Sequence, residues 1–224
     1  MKTFFIISLI PSIVILVGFS MGIYKKTYQH KAMQWVFAYL CFSGILDIIQ
    51  KYLWVTRTNN LFLFHIYTPL ELIFLTLFYA QILKKDIRKE VFLVITLAFV
   101  SFSVFASLYI QSIENFNTYT RFVEAIVILF YSIVYLIKTI PKIETLQEFQ
   151  ESNHYFAVVT GICLYFLGSF LILSLSNSVL KFGDAEFRYL IWILHIIFLV
   201  VLYSAIGIGI WITPKKRGFI QHSL

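Results

Sequence analysis

Four short sets of polar residues interrupt the apolar runs of this sequence. Ser43, Asp47 and Lys51 stand at i, i+4, i+8; Asn117, Arg121 and Glu124 at i, i+4, i+7; Arg188, Trp192 and His195 repeat that second spacing; Tyr67 and Glu71 stand at i, i+4, with Thr68 beside them and His65 nearby. A helix turns by about 100° per residue, so each set occupies one helix face. At the centre of a membrane helix an ionisable side chain costs about 2.5–3.5 kcal/mol on insertion scales. Such residues therefore face the bundle interior and find partners there.

Three acids (Asp47, Glu71, Glu124) and three bases (Lys51, Arg121, Arg188) predict a charge-balanced seam, with Tyr67, Tyr119 and Trp192 lining it and His65, Asn117 and His195 adding polar groups. Four kinds of chemistry suit such a seam: holding the packing of the bundle, as in an accessory subunit of a membrane complex; binding a small polar or amphipathic ligand; acid–base catalysis by Glu71, Glu124 or His195 on a lipid or peptide; or carrying a small solute across the membrane. Gathering at one depth favours the ligand-binding reading, because purely structural pairs need share no depth. Pro69, between His65 and Glu71, removes a helical hydrogen bond and predicts a kink there.

A metal would need His65 and His195 together with a carboxylate, a donor set that suits zinc. No HxxH, HxxxH or HExxH spacing occurs. Ser43, Asp47 and His195 resemble the scattered polar positions of the seven-helix ceramidase and adiponectin-receptor-like hydrolases, and that resemblance implies a zinc site built on three histidines and an aspartate. The sequence departs from the pattern at Leu199, which stands where a second histidine would be needed. Zinc is thus a possible cofactor with no motif of its own.

The elements that must carry these residues follow from composition. Of 224 residues 60% are apolar and 13% charged, and the mean hydropathy is +0.85. That is far below the near-quarter charged content of a soluble domain. Apolar runs long enough to cross about 30 Å of hydrocarbon lie at 3–24, 32–54, 60–83, 91–112, 116–139, 154–177 and 187–211. The expected fold is all-α and polytopic, one seven-helix transmembrane domain over residues 1–224. The first run is longer than the apolar core of a signal peptide and lacks a small-residue cleavage site, so it reads as a retained helix. The segment 141–153, with Pro141 and several acids, reads as a short interfacial loop.

Basic residues set the orientation. Lys25, Lys26, Lys31, Lys84, Lys85, Arg88, Lys89, Lys138, Lys142, Lys215, Lys216 and Arg217 fall on one side; Lys2, Lys51, Arg57, Arg121, Lys181 and Arg188 fall on the other. Short cytoplasmic loops carry the excess, which places the N-terminus outside, the C-terminus inside and the polar seam in the extracytoplasmic half of an inner-membrane protein. The net charge of +7 is explained by this topology and by contact with anionic lipid, so nucleic-acid binding is not expected.

Cys41 and Cys163 lie in apolar segments toward the cytoplasmic side and read as small core residues. A repeat of helix hairpins is suggested by Phe64, Tyr67, Thr68, Leu77, Phe78 and Tyr79 matching Phe116, Tyr119, Thr120, Leu129, Phe130 and Tyr131 at an offset of 52. With loops this short, any signal from a bound ligand must pass through a protein partner.

Overall fold

The computed structural model of the chain describes the backbone of residues 2–140 and 146–214, and the side chains of residues 5–140 and 154–214. Its helices are α1 (Lys2–Lys25), α2 (Met33–Val55), α3 (Phe62–Ile82), α4 (Lys89–Phe105), α5 (Thr118–Thr139), α6 (Leu146–Ser174), α7 (Ser176–Phe182) and α8 (Ala185–Ile212). No strand occurs among the described residues. Seven of these helices, all but α7, are long and apolar enough to cross a membrane, which makes this a multi-pass membrane protein.

The expected spans agree with the helices to within a few residues, except at three places. The segment read as a loop at 141–153 is already helical from Leu146, because Leu-Gln-Glu-Phe-Gln-Glu carries strong helix formers that a hydropathy reading passes over. Its first part, 141–145 with Lys142, and the tail with Lys215, Lys216, Arg217 and His222 lie outside the described residues, as does the Lys2 side chain. The sixth span breaks at Leu175, where α7 begins as a separate short helix. The end of α4 widens into a π-helical turn over Ala106–Ile110.

Helix neighbours run from α1 to α2, α3, α5, α6 and α8, and back to α1, so six membrane helices form a closed ring. α4 stands outside the ring against α3 and α5. In a lipid environment close packing and polar contacts hold helices together in place of the hydrophobic effect, and small residues mark the seams. A Cβ on Gly161 of α6 would lie 2.2 Å from the Ala205 Cβ of α8, and one on Gly168 2.1 Å from the Phe198 ring. Gly209 of α8 lies as closely against Val158 of α6. On the other side of α8, Gly18 of α1 faces Gly207.

Two prolines lie inside membrane helices, Pro69 in α3 and Pro11 in α1. α3 runs unbroken through Pro69, and one turn before it the Phe64 carbonyl accepts from Thr68 Oγ1 at 2.7 Å and from Asn117 Nδ2 at 3.5 Å. Cys41 and Cys163 are unpaired and half-buried rather than fully enclosed.

Both ends of the ring are tied. At one end Phe5 stacks on Trp54, with ring centroids 5.4 Å apart. At the other, Lys25 lies 5.2 Å from the Trp211 ring and within 3.5 Å of the Thr213 carbonyl. Lys138 pairs with Asp86 at 3.1 Å at that same end.

Candidate functional site

The polar sets on α2, α3, α5 and α8 converge in the half of the ring where α3, α5 and α8 begin. Their centre is Arg121 of α5, 3% exposed, and the two carboxylates beside it, Glu71 of α3 and Glu124 of α5, neither of them exposed at all. The single nitrogen NH1 of Arg121 donates both to Glu71 Oε2 and, at 2.8 Å, to Glu124 Oε2. The other oxygen of Glu71 accepts from the hydroxyls of Tyr39 at 2.7 Å and Tyr67 at 3.0 Å. Those two hydroxyls lie 3.2 Å apart, and Ser43 Oγ is 3.4 Å from Tyr67. The guanidinium also stacks over the Tyr67 ring, 4.8 Å from its centroid.

Three helices are thus joined at one buried point. Removing water from charges is costly unless geometry and hydrogen bonds repay it, and Glu71 shows that repayment in full, with three donors on two oxygens. Glu124 does not: its Oε1 has no partner, and neither has Nε of Arg121.

Beside Arg121 lies a cavity of about 440 Å³, within the range typical of small-molecule sites. All six ring helices and α7 contribute to its wall, and α4 does not. Among the residues expected in a site, Asp47, Tyr67, Arg121, Trp192 and His195 line it. Its upper wall holds a second ion pair, Asp47 with Lys51, in which Ser12 of α1 also donates to Asp47 Oδ2 at 2.7 Å. Aromatic rings form much of the rest: Phe116 lies 4.3 Å from Phe64 and 5.4 Å from Trp192, and Trp192 lies edge-on to His195 at 6.0 Å. Nδ1 of His195 has no partner.

The other expected residues lie elsewhere. Glu71 and Glu124 stand behind Arg121 and do not reach the cavity wall. His65 points toward the end of α4, bonded to Ser107 Oγ at 2.8 Å and the Asn115 carbonyl at 3.1 Å; it sits two residues from Tyr67, hence about 200° around the helix. Asn117 is buried and supports the Phe64 carbonyl. Tyr119 is 55% exposed on the outer surface, again because two residues separate it from Arg121. Arg188 turns back to the Asp184 carbonyl at the start of α8, 3.3 Å from Nε. The expected balance of three acids against three bases is therefore corrected to three acids against two, Lys51 and Arg121.

Sequence reasoning passed over Tyr39, Tyr165 and Tyr203. Tyr39 extends the Ser43, Asp47, Lys51 stripe by one more turn, and Tyr203 lies eight residues beyond His195, so both carried a spacing signal. Tyr165 on α6 has no charged residue in helical register with it within two turns and carried none. Among the described residues no three His, Cys, Asp or Glu side chains converge where a metal ion could be held, so the residues present do not fit zinc. The chain matches no known family model, and comparison with curated proteins and with solved structures returns no match.

Proposed function

We propose that this chain is an inner-membrane protein that binds or senses a small polar or amphipathic ligand in the cavity at Arg121 and passes its occupancy to a protein partner. The observation that carries the reading is the cavity inside the six-helix ring, against a buried arginine fixed by Glu71 and Glu124. An ion-pair cluster that served packing alone would gain nothing from an open volume at its side, since lost contacts weaken packing.

An intramembrane enzyme is the weaker reading. The two glutamates nominated as general acid or base are withdrawn behind Arg121, which leaves His195, the mutually paired Asp47 and Lys51, and the hydroxyls of Tyr67, Tyr165 and Tyr203 as the titratable groups on the cavity wall. An accessory subunit of a larger membrane complex remains the outcome if the cavity proves empty.

In this reading the cavity opens to the extracytoplasmic side and the protein is one seven-helix domain. The support is the basic residues: Lys25, Lys26, Lys31, Lys84, Lys85, Arg88, Lys89 and Lys138 gather at the opposite end of the ring. A hairpin repeat at the 52-residue offset belongs to the same proposal. Thr68 and Thr120 are both fully buried, as are Tyr79 and Tyr131, whereas Tyr67 is buried and its counterpart Tyr119 exposed.

The test is native mass spectrometry of the purified protein in mild detergent, with elemental analysis of the same sample. A co-purifying small molecule at one per chain is the expected result. A chain that emerges empty and metal-free, and takes up no added ligand, would remove the reading.

A further inference from the structure

A second opening lies next to the cavity. It is a groove of about 350 Å³ along the outer seam of α1 and α8, bordered by Val17, Gly18, Met21, Gly207, Ile208 and Trp211. Tyr203 lines both this groove and the cavity, so the two volumes adjoin at one side chain. From Tyr203 to Trp211 the groove follows α8 for about 12 Å at 1.5 Å per residue. Its wall is almost wholly apolar, and a Cβ placed on Gly207 would meet nothing within 4 Å.

The cavity end offers the opposite chemistry. Arg121 spends one nitrogen on both of its carboxylates and keeps an Nε–H without an acceptor. A guanidinium presents its donors as a planar fork that fits two oxygens of one anion. His195 stands on the same wall, and its one acid, Asp47, is closed by Lys51 and Ser12.

We infer that the ligand is a single-chain amphiphile whose oxyanionic head, a carboxylate or a phosphate, is gripped by the guanidinium of Arg121, and whose hydrocarbon chain leaves past Tyr203 along the α1–α8 groove. The head would sit in the polar half and the chain would run toward the opposite face, the same alignment that a lipid of that leaflet already has. This rests on the ligand-binding reading of the cavity and goes beyond it in naming the ligand's chemistry and path.

The experiment is native mass spectrometry of the full chain in a steroid-based detergent, whose rigid body cannot follow the groove. Dodecanoate, dodecyl phosphate, hexanoate and dodecyltrimethylammonium are added in turn. Three proteins are compared: wild type, Gly207→Leu, which fills open space in the groove, and Arg121→Lys, which keeps the charge between the two glutamates but loses the fork.

The wild type is expected to take up one dodecanoate or one dodecyl phosphate per chain, the preferred head telling the two sources apart, and to ignore the cationic amphiphile. Gly207→Leu is expected to lose at least tenfold in affinity for the long chain while holding hexanoate as wild type does. Arg121→Lys is expected to lose at least tenfold for both chain lengths with its thermal midpoint kept within a few degrees. Uptake of the cation equal to that of the anions, or long-chain binding unchanged in either variant, overturns the proposal. If a different molecule co-purifies in the cavity while all four amphiphiles are refused, this inference fails and the binding reading stands.

Discussion

Arg121 is the residue on which the site turns, and the sign of its neighbourhood predicts what its loss does. Replacing it by Met leaves Glu71 and Glu124 facing each other without a cation at a fully buried point. Breaking a buried pair by removing one partner costs about 3–5 kcal/mol. Arg121→Met is expected to unfold at a markedly lower temperature in detergent or to fail to accumulate, whereas Arg121→Lys retains the charge and stays folded. Equal stability of the Met variant and wild type would mean that the three groups are not mutually dependent. Tyr119 gives the contrasting case. It is exposed on the outer surface, and Tyr119→Ala is expected to change stability by no more than about 0.5 kcal/mol and ligand uptake not at all. These two residues are two positions apart in sequence, which shows what spacing can and cannot tell. The i, i+4 stripes on α2 and α3 placed Asp47, Tyr67 and Glu71 on inward faces, because helical rotation alone decides that. Spacing did not reveal that Glu71 and Glu124 lie behind Arg121 rather than on the cavity wall, since that depends on the lateral order of helices.

At the scale of elements, α6 and α8 form the tightest seam of the ring. Gly161 permits it: a single added methyl would stand 2.2 Å from the Ala205 Cβ, with α8 backbone behind it. Gly161→Ala is expected to force the two helices apart and to cost about 1–3 kcal/mol, measured by thermal unfolding in the same detergent. Gly207→Ala, on the open side of the same α8, is expected to cost nothing or to gain slightly through helix propensity. A neutral Gly161→Ala would show that this approach of α6 to α8 is looser than its geometry. The helices themselves were legible as runs of about twenty apolar residues, a signal strong enough to place the boundaries within a few positions. The exceptions have physical causes. The start of α6 is rich in acids and so escapes a hydropathy reading, and the break at Leu175 lies inside an unbroken apolar and hydroxyl-bearing run where no proline or glycine announces it.

For the whole molecule, sidedness is the property that the polar half inherits. Lys85→Cys, in the turn between α3 and α4, is expected to resist a membrane-impermeant thiol reagent added to intact cells. Glu186→Cys, at the start of α8, is expected to react with it. Both would be made with Cys41 and Cys163 replaced by alanine. The reverse pattern would place the cavity on the cytoplasmic side and detach it from any extracellular ligand. The closed ring also sets an order of events. α1 packs chiefly on α8 and less on α2, and Gly18 approaches Gly207 across that seam. α1 therefore finds its main partner only when α8, far along the chain, has been made. Until then its Gly18 face stays turned to lipid and the α8 wall of the cavity is missing. Assembly of the cavity therefore waits on α8, so a chain cut short before α8 forfeits the whole pocket and not merely one side of it.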